Sequence, residues 1–243
     1  STGRIVGVES LVRWQHPERG LVTPGAFIPL LEQSGFIAKL DLYIWKEVCR
    51  YLRKWLNEGK TLLPISINVS RVDIYTLDVV ECLKSMAEEY CLPANLLEIE
   101  ITESAYAEEY QKITGVAEQL RGAGFTVLMD DFGSGYSSLT MLKDINVDIL
   151  KIDMKFLDMD EKSADKGLGI LEAIIRMATL MGLRIIAEGV ETEEQGKVLL
   201  EMGCLYGPGS YFFQPLAIGS SERRMETSKN FDFRGNKGQG GKS

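Results

Sequence analysis

The chain has 243 residues, 45% hydrophobic and 26% charged, with a formal net charge of −8. This is ordinary globular composition, long enough to bury a sizeable core, and its acidity excludes a nucleic-acid groove that works by bulk charge. No apolar run is long enough to span a bilayer and no signal peptide opens the sequence, so no membrane contact is expected from this segment.

Taken in order, Ile5 to Val12 reads as an apolar-rich strand carrying Glu9, closed by Arg13-Trp14. Gln15 to Gly20 reads as a turn, which assigns the single histidine, His16, to structure. Thr23-Pro24 gives an N-cap followed by proline at the first helical position, leading into Phe27 to Gln33. A longer helix is expected from Ala38 to Asn57, with Leu42, Trp45, Val48, Cys49, Leu52 and Leu56 at helical spacing. Next come a strand from Ile65 to Val69 carrying Asn68, a helix from Ile74 to Tyr90, and a strand from Leu96 to Thr102 with alternating Glu98 and Glu100. A helix from Ala107 to Arg121 stops at Gly122 and Gly124, and the strand Phe125 to Asp130 follows. Beyond it lie a short helix (Ser137 to Lys143), a strand (Ile149 to Asp153), a helix (Ala164 to Met181), a strand (Arg184 to Glu188), a helix (Glu193 to Met202) and an aromatic stretch from Tyr206 to Phe213. Residues 1–219 read as one domain, and the polar, Lys- and Gly-rich residues 220–243 as a disordered tail. Cys49, Cys82, Cys91 and Cys204 form no CxxC pair and read as free thiols of a reducing compartment.

Alternating strands and helices argue for a parallel α/β sheet. Seven strand-like pieces fall one short of an eight-stranded barrel, and no Gly-rich phosphate loop supports an open doubly wound sheet. In a barrel of this kind the chemistry sits at the C-terminal strand ends. The polar residues there are Glu9, Asn68, Glu100 with Glu103, Asp130 with Asp131, Lys151 with Asp153, and Glu188 with Glu191. Asp130 and Asp131 stand side by side at a strand end, just before a glycine-rich exit. Carboxylates held close need a cation or a proton between them; Mg²⁺ and Mn²⁺ take oxygen ligands of this type, and an Asp-Asp helix cap is the other reading of the pair. The number of ligands suggests two metals sharing a bridging carboxylate, an arrangement suited to phosphoester hydrolysis, with Lys151 opposing the charge that develops on the phosphoryl group.

Six ordered segments then resemble the EAL-domain cyclic di-GMP phosphodiesterases: Glu9-Ser10-Leu11-Val12-Arg13-Trp14, Ile67-Asn68-Val69-Ser70, Glu100-Ile101-Thr102-Glu103, Asp130-Asp131-Phe132-Gly133-Ser134-Gly135-Tyr136-Ser137-Ser138-Leu139, Lys151-Ile152-Asp153, and Ala187-Glu188-Gly189-Val190-Glu191-Thr192. The resemblance implies a modified TIM (β/α)8 barrel whose first helix and strand are missing from this chain. It implies that Glu9, Asn68, Glu100 and Asp130 hold one Mg²⁺ or Mn²⁺ and that Asp130, Asp131 and Glu188 hold a second. It also implies that Lys151 orients a water beside Glu191 and Glu188, that Glu103 braces the loop after Asp131, and that Arg13 contacts a substrate phosphate. The expected reaction is hydrolysis of cyclic di-GMP to linear pGpG in bacterial signalling. The expected setting is a cytoplasmic homodimer within a parent that carries a sensor or GGDEF domain and is in some cases tethered to the inner membrane. Three departures stand out. Ser10 replaces the alanine of the Glu-Ala-Leu signature, Pro208 stands where the family has an active-site glutamine, and the opening strand is absent. The last two lower the expected turnover and keep open a second reading, a degenerate domain that binds cyclic di-GMP or a protein without hydrolysis.

Overall fold

The computed structural model describes residues 6–133, 145–154, 164–190 and 192–204. Its strands are β1 (Val8–Glu9), β2 (Trp14–His16), β3 (Gly20–Val22), β4 (Ile65–Asn68), β5 (Leu97–Thr102), β6 (Thr126–Phe132), β7 (Ile149–Asp153) and β8 (Arg184–Glu188). The helices, in chain order, are α1 (Pro24–Ser34), α2 (Ile37–Asn57), α3 (Arg71–Thr76), α4 (Val79–Glu89), α5 (Glu103–Glu108), α6 (Tyr110–Gly122), α7 (Ala164–Leu180) and α8 (Glu193–Glu201). Six strands form one sheet in the order β1-β4-β5-β6-β7-β8, every neighbouring pair parallel. Parallel neighbours need a crossover, and helices supply it between β1 and β4, β4 and β5, β5 and β6, and β7 and β8; residues 134–144, between β6 and β7, lie outside the described ones. The result is a partial (β/α)8-type barrel. The expected strand near Tyr206, the expected helix at Ser137 and residues 220–243 lie outside the described residues.

The period of two along each strand sorts the side chains. Ile65 and Ile67, then Leu97, Ile99 and Ile101, then Val127 and Met129, face the helices and are buried. They pack with Trp45, Val48, Cys49, Leu52 and Trp55 of α2, Leu83 of α4, Ile113 and Leu120 of α6, and Ile175 of α7. Each fully buried aliphatic side chain of this layer contributes about 1.5–3 kcal/mol. The alternate positions of the same strands, among them Ser66, Glu98, Glu100 and Lys151, are buried as well. Apolar packing therefore holds one face of the sheet, and the other carries polar groups beside the buried Leu128 and Ile149.

Three boundaries differ from the sequence reading. The stretch read as one long strand and a turn is the short β1 and a β2–β3 hairpin, with Trp14 opposite Val22 and His16 opposite Gly20. His16 Nδ1 accepts the backbone N–H of Glu18 (3.1 Å) and of Arg19 (3.2 Å), closing the hairpin beside Pro17, which has no N–H of its own. The helix expected over 74–90 is two helices. Leu77 is extended, and Asp78 caps α4 by accepting from Glu81 N at 3.0 Å. The helix expected over 107–121 begins four residues earlier, at Glu103, and breaks at Glu109, whose φ of −138° is not helical. In the first case a side chain that accepts a backbone N–H starts a new helix where hydrophobic spacing alone suggested continuity; in the second, Glu109 leaves the helical region with no side-chain cap.

Candidate active site

Lys151, in the middle of β7, is 2% exposed. Its Nζ lies 2.7 Å from Glu188 Oε1, 2.9 Å from Glu100 Oε1, 3.2 Å from Asp130 Oδ1 and 3.7 Å from Glu9 Oε2. Four carboxylates from β1, β5, β6 and β8 thus converge on one ammonium. Burial pulls the Lys151 pKa down, but Glu100, Glu9, Glu188 and Asp130 outweigh it and hold the lysine charged. Burial, then Glu100, pushes Glu9 up to about 8, with Lys151 acting in the opposite direction. Burial also raises Glu100 and Glu188 against the pull of Lys151. One ammonium cannot balance four carboxylates, so Glu9, raised to about 8, keeps a proton near neutral pH, and the cluster has capacity for other positive charge in its place.

The chain bends at this rim. Register is irregular between Met129 and Phe132, and Asp131 sits at φ 56°, a left-handed geometry that aspartate tolerates better than most residues. Such a bulge re-aims side chains next to active sites. It lets Asp131 N donate to Asp130 Oδ1 at 2.9 Å. Glu103, 2% exposed at the start of α5, accepts the N–H of Gly133 at 2.9 Å, so it ties down the loop that follows Asp131. Asn68 ends β4 directly opposite Glu100 in register, and the buried Trp45 indole N–H holds its carbonyl at 2.9 Å.

The residues expected together from sequence are thus placed as follows. Glu9, Glu100, Asp130, Glu188 and Lys151 form one cluster; Asn68, Asp131 and Glu103 end or follow strands at the same rim. Arg13 is half-buried, and its Nη1 donates to its own neighbour's carbonyl, Val12 O, at 2.8 Å. Glu191 and Pro208 lie outside the described residues. Three buried acids were not assigned to the site or its support from sequence. Glu98, 8% exposed, shares the inner face with Glu100, and its Oε2 lies 3.6 Å from where a Cβ on Gly7 would stand. Its signal was the two-residue spacing from Glu100. The others, Asp41 and Asp73, are 7% and 0% exposed; Asp41 lies one turn before Trp45 on the apolar stripe of α2, where a lone carboxyl is out of place.

Among the described residues, no three Asp, Glu, His or Cys side chains are arranged as a ready cage for a metal ion, because the Lys151 ammonium stands among the carboxylates. The donor set still fits a hard divalent cation. It consists of oxygens only, and carboxylates from four strands bring them within 3.7 Å of one point.

Comparison with known proteins agrees with this geometry. The profile described as "EAL domain" matches residues 1–215. The chain is 37% identical over 202 residues to the bifunctional diguanylate cyclase/cyclic di-GMP phosphodiesterase MucR of Pseudomonas aeruginosa, covering 83% of this chain and 29% of that protein. It is 36% identical over 220 residues to the cyclic di-GMP phosphodiesterase NbdA of the same organism, covering 90% and 28%. The chain therefore spans less than a third of these relatives. A solved structure of the PaMucR phosphodiesterase in complex with c-di-GMP superimposes with a TM-score of 0.83 at 34% identity, covering 89% of this chain and 87% of that one.

Proposed function

We propose that this chain, which belongs to the EAL-domain family, hydrolyses cyclic di-GMP to linear pGpG with the help of two Mg²⁺ or Mn²⁺ ions, as the catalytic part of a larger cytoplasmic signalling protein. The observation that carries the reading is the buried Lys151 ammonium within 3.7 Å of four carboxylates from four strands. Relatives named as cyclic di-GMP phosphodiesterases supply the substrate. Glu9, Asn68, Glu100 and Asp130 would hold one ion; Asp130, Asp131 and Glu188 would hold the other. When bound, the ions would supply Lewis-acid charge at the phosphoryl group and acidity for the attacking water.

The chain's own residues do the rest. Lys151 stays protonated at working pH, so it directs a fixed positive charge and N–H donors at the oxygen that becomes anionic in the transition state. Glu188, in contact with Lys151, and Glu191 of the same segment are assigned to receiving the proton of the water. Glu103 keeps the Asp131 loop in place through Gly133. Arg13 would release Val12 O and turn to a substrate phosphate, for which its planar fork is suited. A second copy of the domain and a fused sensor or GGDEF domain complete the proposed assembly.

The test is incubation with cyclic di-GMP and Mg²⁺ or Mn²⁺, with the product read by chromatography. Linear pGpG from the wild type and none from Glu100→Ala supports the reading. Tight binding without product assigns the chain to the non-catalytic alternative, and neither binding nor product rejects both.

A further inference from the structure

A second pair of carboxyl groups lies in the helix layer, apart from Lys151. Asp73 is fully buried at the start of α3. Its Oδ2 accepts the Ser70 N–H and the Ser70 hydroxyl, each at 2.7 Å, while Asp73 N donates to Ser70 Oγ at 3.1 Å. Two donors on one oxygen mark Asp73 as the ionised partner. Its other oxygen, Oδ1, is buried and receives no N–H, ammonium or hydroxyl donor. The group that hydrogen-bonds the Asp73 side chain from α2 is the Asp41 carboxyl. A carboxylate only accepts, so two carboxyl groups can be bonded to each other only when one carries a proton. With Asp73 occupied by Ser70, that proton belongs to Asp41.

The pair is joined to the rim. Asp41 and Trp45 are four residues apart on one face of α2. Trp45 donates to Asn68 O at the end of β4. Asp73 caps the helix that the chain enters immediately after that strand end. One face of α2 therefore grips the exit of β4 twice, at the Asn68 carbonyl and at the Asp73 carboxylate. We infer that Asp41 is a positioning residue, whose shared proton with Asp73, together with the Trp45 indole, fixes Asn68 at the rim; its bearing on catalysis rests on the assignment of Asn68 to the site.

Charge gives this latch a pH dependence. Burial, then Asp73, then Glu32 of α1 push Asp41 up to about 8. Burial raises Asp73 as well, against the Ser70 bonds and the bond from Asp41. The charged groups acting on Asp41 are thus both acidic, and no cation is among them. Loss of the proton leaves two buried negative charges facing each other. A folded-state pKa above the unfolded value of roughly 3.9 means that stability is fully present below that value and is lost as pH rises to about 8. The latch is closed in acid and loosens toward alkaline pH.

The test compares wild type, Asp41→Asn and Asp41→Ala. The asparagine amide can donate to Asp73 Oδ1 but cannot lose a proton in this range. Thermal midpoints are read from about pH 5 to about pH 9, together with hydrogen exchange of the Trp45 indole by NMR. The wild-type midpoint should fall across this window distinctly more than that of Asp41→Asn. Near pH 9 the wild-type indole should exchange at least about tenfold faster than that of Asp41→Asn, the equivalent of one lost hydrogen bond. Asp41→Ala should release the indole at every pH and weaken Mn²⁺ binding several-fold, with Asp41→Asn restoring both. Matching pH profiles in wild type and Asp41→Asn, or a protected indole in Asp41→Ala, overturn the latch. The indole readout needs no metal or substrate, so it decides the latch even where the phosphodiesterase assay fails. An Asp41→Ala variant with wild-type Mn²⁺ affinity overturns the link to the rim.

Discussion

The rim cluster and the α2–α3 pair both bury carboxyl groups, and they solve the same problem in opposite ways. At the rim a fixed cation, Lys151, stands between Glu9, Glu100, Asp130 and Glu188. In the helix layer no cation compensates Asp41 and Asp73, and a proton does the work. Isolated buried charge is costly in either place. What differs is the variable that controls each site. The rim has a permanent cation and more carboxylate than it balances, so it takes up further positive charge, a proton on Glu9 included; the pair has a titrating proton as its compensation and no cation. Catalysis needs the first arrangement, in which charge survives burial. Scaffolding tolerates the second.

The largest effect should come from removing the fixed cation. Lys151→Met leaves the buried Glu100 and the half-buried Glu9, Asp130 and Glu188 without their common partner. Breaking a buried ion pair from one side costs about 3–5 kcal/mol, and turnover should fall by roughly 10²-fold or more, the scale of one lost electrostatic donor. Denaturant unfolding with and without Mn²⁺ checks the comparison. Divalent cation should restore part of the stability of Lys151→Met and none of the stability lost in Asp41→Ala. Equal rescue of both variants would erase the distinction between the two regions.

The second effect is the pH slope of the helix layer. With Asp41 raised to about 8 from roughly 3.9, the native state binds one proton more than the unfolded state between these values, so stability must fall as pH rises through the window. The expected difference across it is of order a few kcal/mol, absent in Asp41→Asn. Ser70→Ala removes half of the capping box instead. It should cost about 1 kcal/mol and leave the slope in place, because the Asp41 proton remains. A flat profile in the wild type would show that the pair is compensated by something other than the proton.

Much of the rim was legible in the sequence, because chemistry lies toward the C-terminal strand ends of a parallel α/β barrel: Glu9, Asn68 and Glu188 end their strands, and Glu100, Asp130 and Lys151 stand two residues before the ends of theirs. The Asp130-Asp131 dipeptide announced a site, but the bulge that gives Asp131 its positive φ did not, since a register shift depends on the neighbouring strand rather than on local residues. The parallel α/β class followed from alternation, while the modified barrel rested on the family resemblance. The helix breaks at Leu77 and Glu109 were hidden, because apolar spacing continued across them; the Asp78 cap marks the first, and only the backbone at Glu109, which caps nothing with its side chain, marks the second. Asp41 was the least legible. Its place on an apolar stripe was visible, but its partner is on another helix, so nothing local announced Asp73.

A third, smaller effect concerns the loop after Asp131. Glu103 accepts from Gly133 N as a buried carboxylate. Hydrogen bonds to charged groups contribute about 1.5–3 kcal/mol, against roughly 1 for neutral ones. Glu103→Gln should therefore lose about 1 kcal/mol and lower kcat. Unaltered kcat would place the Gly133 bond in the scaffold alone and not in the rim.

The smallest effect, the loss of Arg121, sharpens the comparison by adding a site where water compensates. Arg121 Nε and Nη2 both reach Asp148 Oδ1 at 3.0 Å, with the two side chains 34% and 27% exposed. The other oxygen of Asp148 accepts the N–H of Val127 at 2.9 Å, and Val127 is fully buried in β6. The two ends of one carboxylate therefore face different environments. Removing the guanidinium leaves an Asp148 that water can solvate, so Arg121→Ala should cost less than about 1 kcal/mol, and less still at high salt, where exposed pairs are screened. Removing the carboxylate strands a buried backbone donor, so Asp148→Ala should cost about 1–3 kcal/mol with little salt dependence. Urea unfolding of both variants at low and high salt measures the difference. Equal losses would mean that the ion pair, rather than the Val127 bond, carries the contact, and that exposure does not set the value of a charge in this fold.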